Sequence, residues 1–270
     1  MNIQKDNNPL NFRWITIAFF IAYFILGVSI FSGYGISWDE PIQRYYGNIV
    51  YDYTFQGDTT LLQDRHRYYG PIVEFTNIVL EKAFHLTDIR SIFLLRHFTN
   101  FCIYFLGVVF FYLLTKKIFN NRFWGLLASS FFIISPRLFA HSFFNSKDIP
   151  FTAFFIIAIF TLLLFTEKPT FSRTFWHSLT SALLIDTRVL GLIIVFITAS
   201  IIFYKVIINV INNGYKNNIE YIKKHLIYFL IYISIFIFFT VLFWPILWKD
   251  SVFHFIKALE NMSHYPWHGD

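Results

Sequence analysis

The sequence predicts an all-α integral membrane protein of about seven transmembrane helices, with two juxtamembrane amphipathic helices in the first outer loop. Three observations carry that prediction. Of 270 residues, 56% are hydrophobic and only 14% charged, and mean hydropathy is +0.52, which excludes a water-soluble domain. Five apolar stretches, residues 12–33, 92–115, 151–165, 189–204 and 226–248, suit a hydrocarbon core of about 30 Å. Lys and Arg collect in alternate connections, as the positive-inside asymmetry of membrane proteins requires.

The first apolar run follows a short polar lead with Lys5 and Arg13, and no small-residue cleavage pattern follows it; it reads as an uncleaved first span. The segment 34–91 is too long for a passive connector. After Pro41, residues Ile42, Tyr45, Tyr46, Ile49, Val50 and Tyr53 recur at helical spacing. From Pro71, Glu74, Asn77, Glu81 and His85 form a stripe opposite Ile72, Phe75, Val79 and Leu86. Both read as interfacial helices with apolar faces toward the bilayer, roofing a cavity that a lipid-borne substrate can enter.

Two shorter apolar stretches, 123–135 and 175–185, are ambiguous by length. Counting both as spans from a cytoplasmic N-terminus puts Lys116, Lys117 and Arg122, then Lys168 and Arg173, then Lys205, Lys216, Lys223 and Lys224 on the inside. A single helix over 175–204 would run about 45 Å and place the last lysine group outside. The outside then holds 34–91, 136–149, 186–188 and the tail after Trp248, with nearly every carboxylate; the inside keeps Asp6, Glu167 and Glu220. No internal repeat or linker divides residues 1–270, which read as one transmembrane module. Cys102 is the single cysteine, so there is no internal disulfide and no thiolate metal cluster. The net charge of +6 is distributed by topology and does not imply a nucleic-acid partner.

Three outer clusters carry chemistry. In Ser37-Trp38-Asp39-Glu40-Pro41, Asp39 in a partly desolvated site suits a general base that takes a proton from a hydroxyl. The same residues also fit a helix start, with Ser37 and Glu40 as a capping box and Pro41 in the first turn. In Asn145-Ser146-Lys147-Asp148-Ile149-Pro150, with Arg137 upstream, the cations suit a phosphate. Asp148 equally fits a helix cap, and Lys and Asp at a bilayer edge also neutralise each other. In Asp186-Thr187-Arg188, the planar guanidinium suits two phosphate oxygens, or Asp186 is its structural partner. The predicted topology delivers all three clusters to one face. A carboxylate base with cations suits hydroxyl attack on a sugar whose leaving group is a lipid phosphate.

Ser37-Trp-Asp-Glu-Pro41, Tyr68-Tyr-Gly-Pro71, Leu95-Arg-His97, Ser135-Pro-Arg137, Phe144-Asn-Ser-Lys-Asp-Ile-Pro150 and Thr187-Arg-Val-Leu-Gly191 resemble, in order, motifs of the dolichyl-phosphate-mannose protein mannosyltransferase-like superfamily of GT-C glycosyltransferases, which includes the lipid A aminoarabinose transferase. The resemblance spans essentially the whole chain, and the acidic pair is its strongest motif. It implies a GT-C module of seven spans and two juxtamembrane helices, a polyprenyl-phosphate-linked sugar donor, a lipid, glycan or protein acceptor, and inversion at the anomeric carbon. Asp39 is similar to the catalytic base and Glu40 to its neighbour. Arg188, Lys147 and Arg137 match positions toward the donor phosphate, and Asp148, Trp38, Tyr69, His97 and His264 are expected to line the site. The mannosyltransferase-like branch implies no required metal or other cofactor, and a multi-pass location in a bacterial inner membrane with the site facing the periplasm. Members usually continue with further spans and an outer C-terminal region, so the chain is expected to be short of these. The tail histidines His254, His264 and His268 lack helical metal-ligand spacing, because Pro266 interrupts it. A polytopic transporter is the rival from another class, but it predicts midplane charges and repeat symmetry; a non-catalytic or truncated homologue is a further alternative.

Overall fold

The computed structural model describes residues 9–214 and 219–263. Every regular element among them is helical. The α-helices are α1 (Pro9–Ile30), α2 (Glu40–Gln56), α3 (Ile72–Ala83), α4 (Ile89–Phe119), α5 (Arg122–Ile134), α6 (Pro136–Phe144), α7 (Asp148–Glu167), α8 (Phe171–Thr187), α9 (Ile193–Asn213), α10 (Ile219–Phe243) and α11 (Ser251–Ser263). Polar residues punctuate this apolar chain. Asp88 caps α4 by accepting the Ser91 N–H at 2.9 Å, Asn121 caps α5 through the Phe123 N–H at 2.7 Å, and Thr170 caps α8. Each satisfies a donor that the helix start leaves open. The Ser91 N–H and hydroxyl hold the Asp88 carboxyl below its ordinary pKa. That cap is complete above the ordinary aspartate range and weakens as pH falls through the lowered value.

Five segments are long and apolar enough to cross a membrane: Phe12–Gly33, Ile89–Phe119, Asp148–Glu167, Val189–Asn212 and Ile219–Phe243. The chain is a multi-pass integral membrane protein. The count differs from the expected seven. The stretch expected to span at 123–135 is the 13-residue α5, which passes only together with α6, and the two are bent by 69°. Pro136 opens α6, and its missing N–H and ring stop the α5 hydrogen-bond ladder at Ser135. The stretch at 175–185 lies in α8, whose 17 residues end where Arg188 turns extended. Large apolar side chains such as Trp14, Ile25, Phe196 and Leu230 are exposed, as lipid-facing positions are.

The two amphipathic helices of the first outer loop are present as α2 and α3. In α3 the polar residues Glu74, Asn77 and Glu81 are buried, as are Val73 and Ile78, while Thr76, Val79 and Lys82 are exposed; covering the carboxylates requires that they be satisfied within the protein.

The chain gathers into two compact units. The first comprises residues up to Gln43 with Asn77–Phe160. Its core is Tyr23, Phe101, Tyr104, Val108, Phe143 and Ile149, with α4 packed by α1, α5 and α6. Close approach is built in at Gly107, where an added Cβ would lie 2.8 Å from the Ala153 Cβ and 2.9 Å from its Cα. The second comprises Arg44–Thr76 and the described residues from Thr161 on, with α8 packed along α10. Here His177 joins three helices: its Nδ1 meets the Thr161 hydroxyl at 3.1 Å, its Nε2 the Thr198 hydroxyl at 2.9 Å, and its ring stacks on Tyr232 at 4.7 Å. Both ring nitrogens are satisfied, which is how polar groups hold helices together away from water.

The Gly107 contact predicts that Gly107→Leu lowers stability. Overpacking strain of about 1–3 kcal/mol outweighs the helix-propensity gain of up to about 1 kcal/mol. Gly33→Leu, with nothing within 4 Å of its Cβ, is the control. Thermal unfolding in detergent is expected to show a lower midpoint for the first variant only.

Candidate active site

In the first unit, the chain leaving α1 turns back at Ser37–Glu40 to start α2. Glu40 makes that turn. Its N–H bonds the Ser37 carbonyl at 3.3 Å, and its Oε2 accepts the Ser37 N–H at 2.6 Å. The Ser37–Glu40 pairing keeps the i, i+3 carboxylate-to-N–H contact of a capping box, one turn ahead of the helix, while Asp39 itself takes the N-cap position of α2. The Asp39 carbonyl accepts the Gln43 N–H at 3.0 Å and begins the helix ladder. The other Glu40 oxygen, Oε1, lies 2.9 Å from His97 Nε2 on α4, within ion-pair distance though off the line of an ideal hydrogen bond. Glu40 and His97 are 2% and 1% exposed. With both oxygens engaged, Glu40 is an anchor and Asp39 is the carboxylate left facing outward.

Asp39 is exposed, so the desolvation expected around it is not seen; Trp38 beside it is 94% exposed. A cavity of about 240 Å³ opens against this turn, lined by Trp38, Asp39, Glu40 and Gln43 on one side and by His141, Asn145 and Lys147 on the other. The second wall is placed by α4 and by its own loop. Asn100 of α4 donates to the carbonyls of Ser142 at 2.9 Å and His141 at 3.3 Å, fixing the end of α6. Phe143 stacks on Tyr34 at 4.4 Å and on Phe101 at 5.3 Å. Asn145 then organises the loop. Its Oδ1 accepts the N–H groups of Lys147 and Asp148 at 3.2 and 2.8 Å, and its Nδ2 contacts His141 Nδ1 and Asp148 Oδ2, each at 3.0 Å.

The predicted residues therefore separate into groups. Trp38, Asp39, Glu40 and Lys147 share the cavity, and His97 stands behind it. Asp148 starts α7 and is exposed, bonded to Asn145, which is the helix-start arrangement. Arg137 is exposed in the first turn of α6. Neither is among the residues lining the cavity. His264 and His268 lie outside the described residues. Gln43 and His141 were not singled out from sequence, and Asn145 only as part of the cluster it opens. Gln43 sits one helical turn after Asp39, and His141 one turn before Asn145, a spacing that would have found them.

Tyr69 and Arg188 belong to the second unit. The Tyr69 carbonyl accepts the Tyr46 hydroxyl, and its ring packs against the buried cluster of Tyr46, Ile49, Val50 and Leu61. Burial first, then the Asp186, Asp64 and Glu74 carboxylates, push the Tyr46 hydroxyl well above its ordinary pKa, so it stays a donor. Gly70 runs against the α8 end so closely that a Cβ would fall 1.6 Å from the Asp186 carbonyl oxygen. Asp186 Oδ2 accepts the Ile72 N–H at 3.1 Å and so caps α3 from another helix. Its Oδ1 is buried with no hydrogen-bond partner among the described residues. Arg188 is half-buried in extended backbone, its N–H on the Leu184 carbonyl at 3.3 Å.

No group of three or more His, Cys, Asp or Glu side chains is arranged to hold a metal ion among the described residues. What the fold and cavity define is a polytopic α-helical membrane protein with a carboxylate and an ammonium around one outward-opening cleft. Residues 66–255 match the family model described as dolichyl-phosphate-mannose-protein mannosyltransferase. The chain belongs to that family, a family of glycosyltransferases. The matched stretch includes Tyr69, His97, Arg137, Lys147, Asp148 and Arg188 and begins after the Trp38–Glu40 turn. No curated relative and no solved structure gives a significant match.

The Glu40 anchor predicts a double-mutant signature. His97→Leu leaves a buried carboxylate oxygen without its partner and is expected to cost about 1–3 kcal/mol. In the His97→Leu/Glu40→Gln double variant the two losses coincide rather than add. Denaturant titration of the four proteins checks this, and strict additivity would dismiss the contact.

Proposed function

We propose that this protein is an inverting glycosyltransferase that moves a sugar from a polyprenyl-phosphate donor to the hydroxyl of a lipid, glycan or protein acceptor at the outer face of a bacterial inner membrane. The observation that carries the reading is the exposed Asp39 carboxylate opposite Lys147 across one cavity, in a chain of this family. Asp39 takes the acceptor proton. The hydroxyl oxygen bonds to the anomeric carbon as the bond to the phosphate oxygen breaks, and the electron pair leaves on that phosphate. Attack from the face opposite the leaving group inverts the centre.

Lys147 stabilises the charge that develops on the phosphate, where a fixed cation acts most strongly on the transition state. Glu40 and His97 hold Asp39 in place and do not touch substrate. Arg188 is assigned to the donor's phosphate on the chemistry of its guanidinium fork and on its motif alone, and Arg137 is a further candidate from its motif. The cavity volume, about 240 Å³, equals roughly eight waters at about 30 Å³ each, a scale suited to one sugar ring. No metal takes part in this reading, so EDTA leaves the rate unchanged.

Asp39→Asn keeps the shape and removes the base. Loss of a general base costs about 10²–10⁴-fold, with folding and membrane insertion intact. Transfer from a synthetic polyprenyl-phosphate sugar is the assay, and wild-type turnover by this variant would remove Asp39 from the mechanism. Lys147→Ala and Arg188→Ala are expected to raise the KM for donor and lower kcat. An unchanged donor dependence in Arg188→Ala would return that residue to a structural role at the end of α8.

A further inference from the structure

A second polar cavity, of about 430 Å³, lies in the second unit where α7 ends, α9 ends and α10 begins. Those are the ends of three membrane-crossing segments, Asp148–Glu167, Val189–Asn212 and Ile219–Phe243, so the cavity sits at a bilayer surface. Lys168, Lys205 and Lys224 line it against one carboxylate, Glu167, leaving an excess of two positive charges. Lysines at a span end serve topology without any cavity. Here they are organised. Lys205 Nζ donates to the Thr166 carbonyl at the end of α7, and His225, 7% exposed, has its Nδ1 held by the Tyr221 carbonyl at 2.8 Å.

Two further features point to an occupant. Asn209, in the cavity wall, has a buried Oδ1 without a hydrogen-bond partner among the described residues. A buried acceptor of this kind asks for a donor, which a phosphodiester lacks unless the ligand also carries a headgroup hydroxyl. Beside the cavity, the α9 side chains Tyr204, Ile207, Ile208 and Ile211 are exposed by 65%, 55%, 38% and 70%, an apolar strip along which acyl chains can lie.

We propose that this cavity binds the headgroup of an anionic, hydroxyl-bearing glycerophospholipid. The phosphodiester meets the lysines, the headgroup hydroxyl donates to Asn209, and the acyl chains lie along α9. Basic recesses between membrane helices recognise lipid phosphates in this way. The site is independent of the sugar-transfer chemistry and needs no residue of the Asp39 cavity.

Native mass spectrometry of the purified full chain, titrated with phosphatidylglycerol or phosphatidylcholine, reads it directly. The wild type is expected to bind phosphatidylglycerol more tightly, and Lys224→Ala to weaken that binding about fivefold, as does each lysine removed near a lipid surface. Lys205 also holds the end of α7, so Lys224→Ala is the variant whose fold does not rest on that bond. Asn209→Leu is expected to erase the preference for phosphatidylglycerol over phosphatidylmethanol, an anionic phosphodiester without a headgroup hydroxyl. Equal binding of phosphatidylglycerol and phosphatidylcholine, or full binding by Lys224→Ala, overturns the proposal. Thermal protection by millimolar inorganic phosphate equal to that by phosphatidylglycerol would make the ligand a free phosphate and overturn the lipid assignment.

Discussion

Glu40 is the residue on which the acidic cavity depends. Its two oxygens are divided between the Ser37 N–H in its own turn and His97 on α4, so one buried carboxylate fixes both the local turn and its attachment to a long membrane helix. A carboxylate buried this fully is costly unless both oxygens are engaged. That cost gives the turn a single arrangement. Asp39, its immediate neighbour, then has no share in the anchoring and points outward beside Trp38. Two adjacent acids of the same formal chemistry are thereby split into a buried, anchoring group and an exposed one, and the split is made by burial.

The opposite wall follows from the same helix. Asn100 lies one turn beyond His97 on α4 and grips the last carbonyls of α6, so α4 positions the Glu40 turn and the Asn145–Lys147 loop together. Asn145 repeats the device on a smaller scale, using one side-chain amide to hold the His141 ring, two loop N–H groups and the Asp148 carboxylate. The cleft is therefore built from polar contacts to a rigid span. This is the kind of support that keeps reacting groups within small tolerances.

Much of this was legible in the sequence. Long apolar runs and lysine placement gave the helical membrane class, and helical spacing after Pro41 and Pro71 gave α2 and α3. The Ser37–Glu40 spacing foretold the contact between those two residues. The differences in detail have physical sources. A 13-residue apolar run looks like a short span, and only the bend at Pro136 shows that α5 continues into α6 at 69°. Helical spacing marks the stripe Glu74, Asn77 and Glu81 but not its surroundings; these residues are buried along with Val73 and Ile78, because α3 is packed on more than one side. His97 gave no local signal, since its partner lies 57 positions away in the chain.

The Tyr68–Pro71 and Thr187–Gly191 motifs illustrate how a family motif combines scaffolding with chemistry. Gly70 is required because any side chain there would occupy the place of the Asp186 carbonyl, and that close passage is what lets the Asp186 carboxyl reach the first N–H of α3. Gly191 is equally constrained, its Cβ position lying 2.8 Å from the Ile185 nitrogen and the Leu184 carbonyl carbon. Between these two glycine contacts, Arg188 is held in extended backbone at the end of α8. Asp186 Oδ2 is engaged by the first N–H of α3. Two close backbone passages, at Gly70 and Gly191, together with the capped start of α3 thus fix the backbone that carries Arg188, so the position of this residue follows from steric exclusion.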